Sequence, residues 1–255
     1  MKIRLLRHAT VLFSINNKKV LLDPIFNRAA TMPPIDNSPN PKPNPLVELP
    51  LPKEELDQLL QELDAVIITH THRDHFNESA GKLLPKNIPV FCQPEDEGKL
   101  IGLGFSTVIP VQESYFWQGI RFTRTECQHG TGEIGEKMAP ASGFVLQCPG
   151  EPSLYICGDT IWCSEVEQVL KTYQPEITMV FGGAAQFLVG EPIVMDAEDI
   201  GQLCRKVPQT KVVVAHLESF NHCLLTRSQL REFLTARNLN TQVVIPENGE
   251  VLEFK

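Results

Sequence analysis

Hydrophobic residues along this chain come in short runs broken by charged and turn-forming residues, and the spacing inside the runs changes with position. Near the start, apolar residues at 2–6, 11–15 and 20–22 predict a short β-meander, with Asn16-Asn17-Lys18 as its hairpin turn and Asp23-Pro24 as its stop. Further on, helical spacing predicts helices at 53–62, 77–84, 94–103, 164–173, 197–206 and 227–237. Strand-like runs predict strands at 64–69, 88–92, 107–111, 118–127, 143–148, 153–157, 177–181, 211–215, 243–245 and 251–254. The result is an α/β alternation without an internal repeat of fixed period.

One stretch fits neither pattern. Between residues 33 and 52 the chain carries eight prolines. Each removes a backbone donor and restricts its predecessor, so the stretch can be neither a helix nor a central strand. A disordered linker there would isolate a fragment of about thirty residues, too small to hold a core. An ordered loop wrapped on the domain is expected instead, and long irregular loops of this kind often serve as lids. Residues 1–255 are accordingly read as a single domain carrying this loop.

Composition narrows the class. The 255 residues are 42% hydrophobic and 21% charged, with a formal net charge of -8, as in an ordinary globular protein. No basic stripe offers phosphates a track, which argues against a nucleic-acid partner. The amino terminus breaks its apolar residues with Lys2, Arg4 and Arg7, unlike a signal peptide, and no run approaches a membrane span. Seven cysteines without CxxC spacing read as reduced, mostly buried thiols, so a cytoplasmic location is expected.

The chemistry is concentrated in His70-Thr71-His72-Arg73-Asp74-His75, directly after the apolar run Ala65-Val66-Ile67-Ile68. Imidazole nitrogen and carboxylate oxygen suit borderline divalent cations, and the lack of cysteine in the cluster points to an open, water-binding site rather than a closed structural one. Other expected strands also end in ligand types, at His129, Asp159 and His216. His70 and His72 can face one ion while Asp74 and His75 reach a second. His129 and His216 could each complete one set, and Asp159 could bridge. Two adjacent cations would make hydroxide at neutral pH and polarise a substrate oxygen. Asp74 could instead orient that hydroxide through a hydrogen bond, and spacing does not separate the two roles.

His70-Thr71-His72-Arg73-Asp74-His75 resembles the HxHxDH signature of the metallo-β-lactamase-fold hydrolases. The likeness extends through His8-Ala9-Thr10, Leu21-Leu22-Asp23-Pro24, His129-Gly130, Gly158-Asp159-Thr160 and His216, which looks like the branch of ascorbate-phosphate lactonase and N-acyl-phosphatidylethanolamine phospholipase D. This resemblance implies a four-layer αβ/βα sandwich, two mixed sheets with helices outside and a dinuclear site at one edge. It implies that His70, His72 and His129 hold one metal, that Asp74, His75 and His216 hold the other, and that Asp159 bridges. Zinc is the usual metal, with manganese or iron as alternatives.

Two histidines stand outside that set. His222 either reaches the open face of the site as a proton donor or phosphate contact, or caps the helix that follows. For His8 the simpler reading, a strand-end histidine bonded to backbone, is preferred to a place beneath the ligands. The glycine-rich stretch at 130–138 lacks the context of a nucleotide loop and reads as a mobile rim loop. Trp162, Phe26 and Arg28 are near enough to line a pocket, though packing explains each more simply.

The expectation is therefore a hydrolase using metal-bound hydroxide on an ester, lactone or phosphodiester, with Asp74, Asp159 and His222 as the catalytic candidates and two divalent ions as cofactors. A small-molecule substrate is expected, and a homo-oligomer is compatible with the sequence. The alternatives are an iron-dependent oxygenase or other redox member of the fold, or a non-catalytic metal-binding protein.

Overall fold

A computed structural model describes residues 1–138 and 140–255. It contains two seven-stranded sheets. The first takes β1 (Lys2–Arg7), β2 (Thr10–Ile15), β3 (Lys18–Leu22), β4 (Ala65–Ile68), β5 (Val90–Cys92) and β6 (Val108–Pro110), with the last strand, β14 (Val251–Glu253), on the edge beside β1. The second takes β7 (Ser114–Trp117), β8 (Ile120–Glu126), β9 (Ser142–Gln147), β10 (Leu154–Ile156), β11 (Ile177–Phe181), β12 (Lys211–Ala215) and β13 (Val243–Val244). Both sheets are mixed. The order of the second runs from β13 through β12, β11, β10, β9 and β8 to β7.

The central strands read as unbroken apolar runs because both of their faces are covered. In β4, Ala65 and Ile67 point into the core between the sheets, while Val66 and Ile68 join the outer core with Leu59, Leu60, Phe76 and Leu100. In β12, Val213 and Ala215 face inward, and Val212 and Val214 pack outward with Ile200, Leu203, Leu230 and Leu234. Helices α1 (Lys53–Glu62), α2 (Glu78–Leu83) and α3 (Glu97–Gly102) thus flank one sheet, and α5 (Ser164–Tyr173), α6 (Ala197–Lys206) and α7 (Arg227–Ala236) flank the other. The layers run helix, sheet, sheet, helix, as expected.

Three local expectations are corrected. The strand expected at 118–127 is β8, and it forms a hairpin with β7, a strand that the sequence pattern does not predict. Gln118 and Gly119 both have positive φ, 50° and 81°, and form the two-residue turn that matches strand twist. The helix expected at 94–103 begins as a 3-10 turn, Pro94–Asp96, before α3. The glycine-rich rim contains helix α4 (Gly132–Met138), because Glu133, Glu136, Lys137 and Met138 are good helix formers between its glycines.

The proline-rich segment is ordered. Met32 and Asn44 form an isolated antiparallel bridge, with N–H to O distances of 2.7 and 2.8 Å. The buried Asn221 side chain accepts from the Ile35 N–H at 2.9 Å and from Asn44 Nδ2 at 2.7 Å, and donates to the Asn40 carbonyl and to Ser38 Oγ. Because the prolines offer few backbone donors, one side chain from a distant loop supplies much of the pairing. Among the described residues no helix is long and apolar enough to cross a membrane. The seven cysteines are free, five of them buried.

Candidate metal centre

Strand direction decides what meets at the sheet edge. β1 is antiparallel to β2 and β2 to β3, while β3 is parallel to β4, so β1, β3 and β4 all run the same way. The same reasoning gives β8, β10 and β12 a common direction. Their carboxyl ends deliver His8, Asp23, the His70–His75 segment, His129, Asp159 and His216. Loops beyond strand ends let a rigid sheet hold polar groups close together. Directly before Asp159, Gly158 has φ 71°, and a Cβ there would lie 2.5 Å from the Ser142 carbonyl, so the chain passes this point only as glycine.

The ligand atoms of His70, His72 and His129 lie within 4.8 Å of one another, as do those of His70, His75 and Asp159 and those of His8, Asp74, His75 and His216. Asp159 sits centrally. Its Oδ2 is 3.2 Å from His75 Nε2, 3.4 Å from His129 Nε2 and 3.9 Å from His70 Nε2, and its Oδ1 is 3.7 Å from His216 Nε2. Asp74 Oδ2 lies 3.4 Å from both His8 Nε2 and His222 Nε2 and 3.7 Å from His216 Nε2. All seven histidines of the chain therefore surround two carboxylates.

The rings are held from behind, which turns Nε2 inward. His70 Nδ1 meets Thr69 Oγ1 at 3.0 Å, His129 Nδ1 meets the Ile193 carbonyl at 2.7 Å, and His75 Nδ1 meets Asp23 Oδ2 at 2.8 Å. Asp23 is itself fixed by the Thr69 N–H at 2.8 Å and the Thr69 hydroxyl at 2.7 Å. Behind His216 stands Cys223, with Sγ 3.5 Å from Nδ1. Such outer contacts fix tautomer and ring orientation in metal sites.

Burial and mutual charge divide the groups. Burial pushes His8 and His70 well below the ordinary imidazole value and His129 down to about 4. Burial opposes charge on His75 as well, yet the Asp159 and Asp74 carboxylates lift it well above 6.5. His216 and His222 rise against burial to about 9 and about 10, drawn up by Cys223 and the carboxylates. The surrounding imidazoles overcome burial to hold Asp74 and Asp159 well below the usual carboxylate range. Strong perturbations of this kind cluster at functional sites.

Relative to the sequence expectations, His70, His72, Asp74, His75, His129, Asp159 and His216 come together in space. His222 does not cap a helix: α7 is capped by Thr226, whereas His222 lines the cavity with Asp74, Asp159, His72 and His129. The preferred reading of His8 is corrected, since among the described residues its Nδ1 finds no partner and its Nε2 faces Asp74. Beyond stopping the strand, Asp23 stands behind His75, a part that the spacing of residues along the chain does not predict. The Leu21-Leu22-Asp23-Pro24 element held the signal, as a carboxylate at the end of a buried strand. Phe26 packs in the outer core, Trp162 packs beside α5 and α6, and Arg28 is exposed near Glu48, so none of them lines the cavity.

Comparison with known proteins shows the family and the fold. The family model described as a beta-lactamase superfamily domain matches residues 18–217. The UPF0173 protein YddR of Bacillus subtilis (strain 168) is 35% identical over 257 residues, covering 100% of both chains. A crystal structure from Veillonella parvula DSM 2008, described as a possible metal-dependent hydrolase, is 31% identical with a TM-score of 0.94, covering 99% of this chain and 98% of that one. The crystal structure of isothiocyanate hydrolase from Delia radicum gut bacteria is 34% identical with a TM-score of 0.93, covering 100% and 99%.

Proposed function

The chain belongs to the beta-lactamase superfamily, in a group of metal-dependent hydrolases with the metallo-β-lactamase fold, and from that premise we propose a dinuclear hydrolase acting on a small-molecule substrate. The supporting observation is the donor set. Imidazole and carboxylate atoms converge without thiolate, and two of them, His70 Nε2 and Asp159 Oδ1, are buried with no hydrogen-bond partner among the described residues. Buried polar atoms are seldom left unpaired, and these point into a set that fits divalent metal.

On this reading His70, His72 and His129 would hold one ion, Asp74, His75 and His216 the other, and Asp159 both. Bound ions would lower the pKa of water and polarise the atom under attack. The protein's own part is to hold the donors rigid through Thr69, Asp23 and the Ile193 carbonyl. His222, which lines the cavity beside Asp74, is placed to hand a proton to the leaving atom. Asp74, 3.4 Å away, orients that imidazole. Zinc is the first candidate metal, then manganese and iron.

Esters, lactones and phosphodiesters are the substrate classes first suggested by the family resemblance. The isothiocyanate hydrolase adds another. Attack by water on the central carbon of R–N=C=S and protonation of nitrogen yields an amine and carbonyl sulfide, and His222 suits that protonation.

The test is elemental analysis of protein reconstituted separately with zinc, manganese and iron. Two ions per chain are expected, and fewer than one with every metal overturns the dinuclear reading. A substrate screen across the four classes then uses Asp159→Ala as control. Loss of hydrolysis with an intact fold is expected, and full retained activity refutes the role of Asp159.

A further inference from the structure

The metal centre lies at the bottom of a small cavity of about 190 Å³, and beyond it opens a larger one of about 710 Å³. The two adjoin, since Ile35, Arg73, Met138 and Phe187 line both. The outer walls come from the proline-rich loop, from α4 and from the loop after β11, and they present Ile35, Ile134, Met138, Phe187, Leu188 and Val189. Leu188 and Val189 are 67% and 78% exposed. Exposed apolar side chains gathered in a concave rim mark a binding site.

The walls are tied to one another. The Leu188 N–H donates to the Asn37 carbonyl at 2.6 Å, and Arg73 Nη2 donates to the Pro34 carbonyl. A Cβ at Gly190 would lie 2.4 Å from Ile134 Cδ1, so that loop packs closely on α4. Charge at the rim is balanced, with Arg73 and Lys137 against Asp36 and Glu133. Lys137 and Glu133 also face each other at 4.0 Å. The larger cavity therefore presents apolar surface without a net field to attract a charged group.

We infer that the outer cavity binds a neutral alkyl or arylalkyl tail of the substrate while the inner cavity receives the reactive head. This rests on the hydrolase reading for the head and on the rim residues alone for the tail. The walls shared with the cavity over the candidate metal centre favour a substrate tail over a second copy of this chain as the occupant.

The tail site is tested with the neutral fluorophore N-phenyl-1-naphthylamine, titrated into metal-loaded and chelator-stripped full-length protein. Saturable fluorescence enhancement is expected in both. The double variant Leu188→Asp/Val189→Asp, whose sites are exposed, should keep its melting temperature and bind the probe at least about tenfold more weakly. A matched series of p-nitrophenyl esters from acetate to octanoate should show kcat/KM rising about two- to fourfold per buried methylene. Probe binding with no ester hydrolysed supports the tail site and counts only against esters among the four substrate classes. Absence of saturable probe binding overturns the tail site, as does a concentration-dependent dimer that the double variant dissociates while probe binding is unchanged.

Discussion

The main-chain N–H of His216 donates to the carbonyl oxygen of His8 at 3.0 Å, and their rings lie with centroids 3.7 Å apart. These residues follow β1 and β12, so the contact joins the two sheets beside the Asp74 carboxylate. Both lie in the left-handed region, with φ of 60° and 66°. That conformation costs a non-glycine residue about 1–2 kcal/mol.

Two substitutions at His8 separate backbone strain from the role of the imidazole. His8→Gly should be more stable than His8→Ala by about 1 kcal/mol, because glycine accepts the positive φ. Both lose the ring facing Asp74, so metal affinity should fall about tenfold or more, and equally. Thermal melts and competition with a chromophoric chelator check the pair. Unchanged affinity in both would place His8 outside the metal centre.

Asp23 acts on the site through His75. Asp23→Ala removes the acceptor for His75 Nδ1 and for the Thr69 hydroxyl and N–H. Metal affinity should drop about 10–100-fold. Asp23→Asn keeps an oxygen acceptor and should retain a larger share of the affinity. Equal loss in both variants would show that the negative charge matters more than the geometry.

Asn221 connects the proline-rich loop to the chain immediately before His222. Asn221→Ala strands the Ile35 N–H and Asn44 Nδ2, for a loss of about 1–3 kcal/mol. Hydrogen exchange at the Ile35 amide should speed up, while amides in the buried strand β11 stay protected. A change confined to β11, with Ile35 unaffected, would contradict this anchoring role.

Metal-free protein should be most stable near pH 6.5. His8, His70 and His129 are held neutral below 6.5, so the unfolded chain takes up more protons as pH falls and stability declines on the acid side. His75, His216 and His222 have raised values, so their contribution is complete below 6.5 and is lost as pH rises through about 9 and 10 for the last two. Asp74 and Asp159, with lowered values, add a further loss below about pH 4. Melting temperatures of chelated protein from pH 4 to 10 should trace this maximum. Metal ions should flatten its alkaline side, since deprotonated ligands bind them.

The sequence by itself determined the alternation of strands and helices, the concentration of ligand types in His70–His75, and the recurrence of His129, Asp159 and His216 after apolar runs. Those features are local, because a buried strand must be apolar and a ligand at its end follows it directly in the chain. Tertiary structure alone decided that His8 faces Asp74 and that Asp23 stands behind His75, since both relations depend on β1, β3 and β4 sharing one direction. It also turned Asn221 into the anchor of a loop whose partners lie 177 to 186 residues away in sequence. It brought the glycine-rich rim, folded as α4, together with Phe187 and Leu188 around one cavity. Pairings of this kind leave no periodic trace, because they are set by where separate strand ends converge and not by the spacing of residues within any one element.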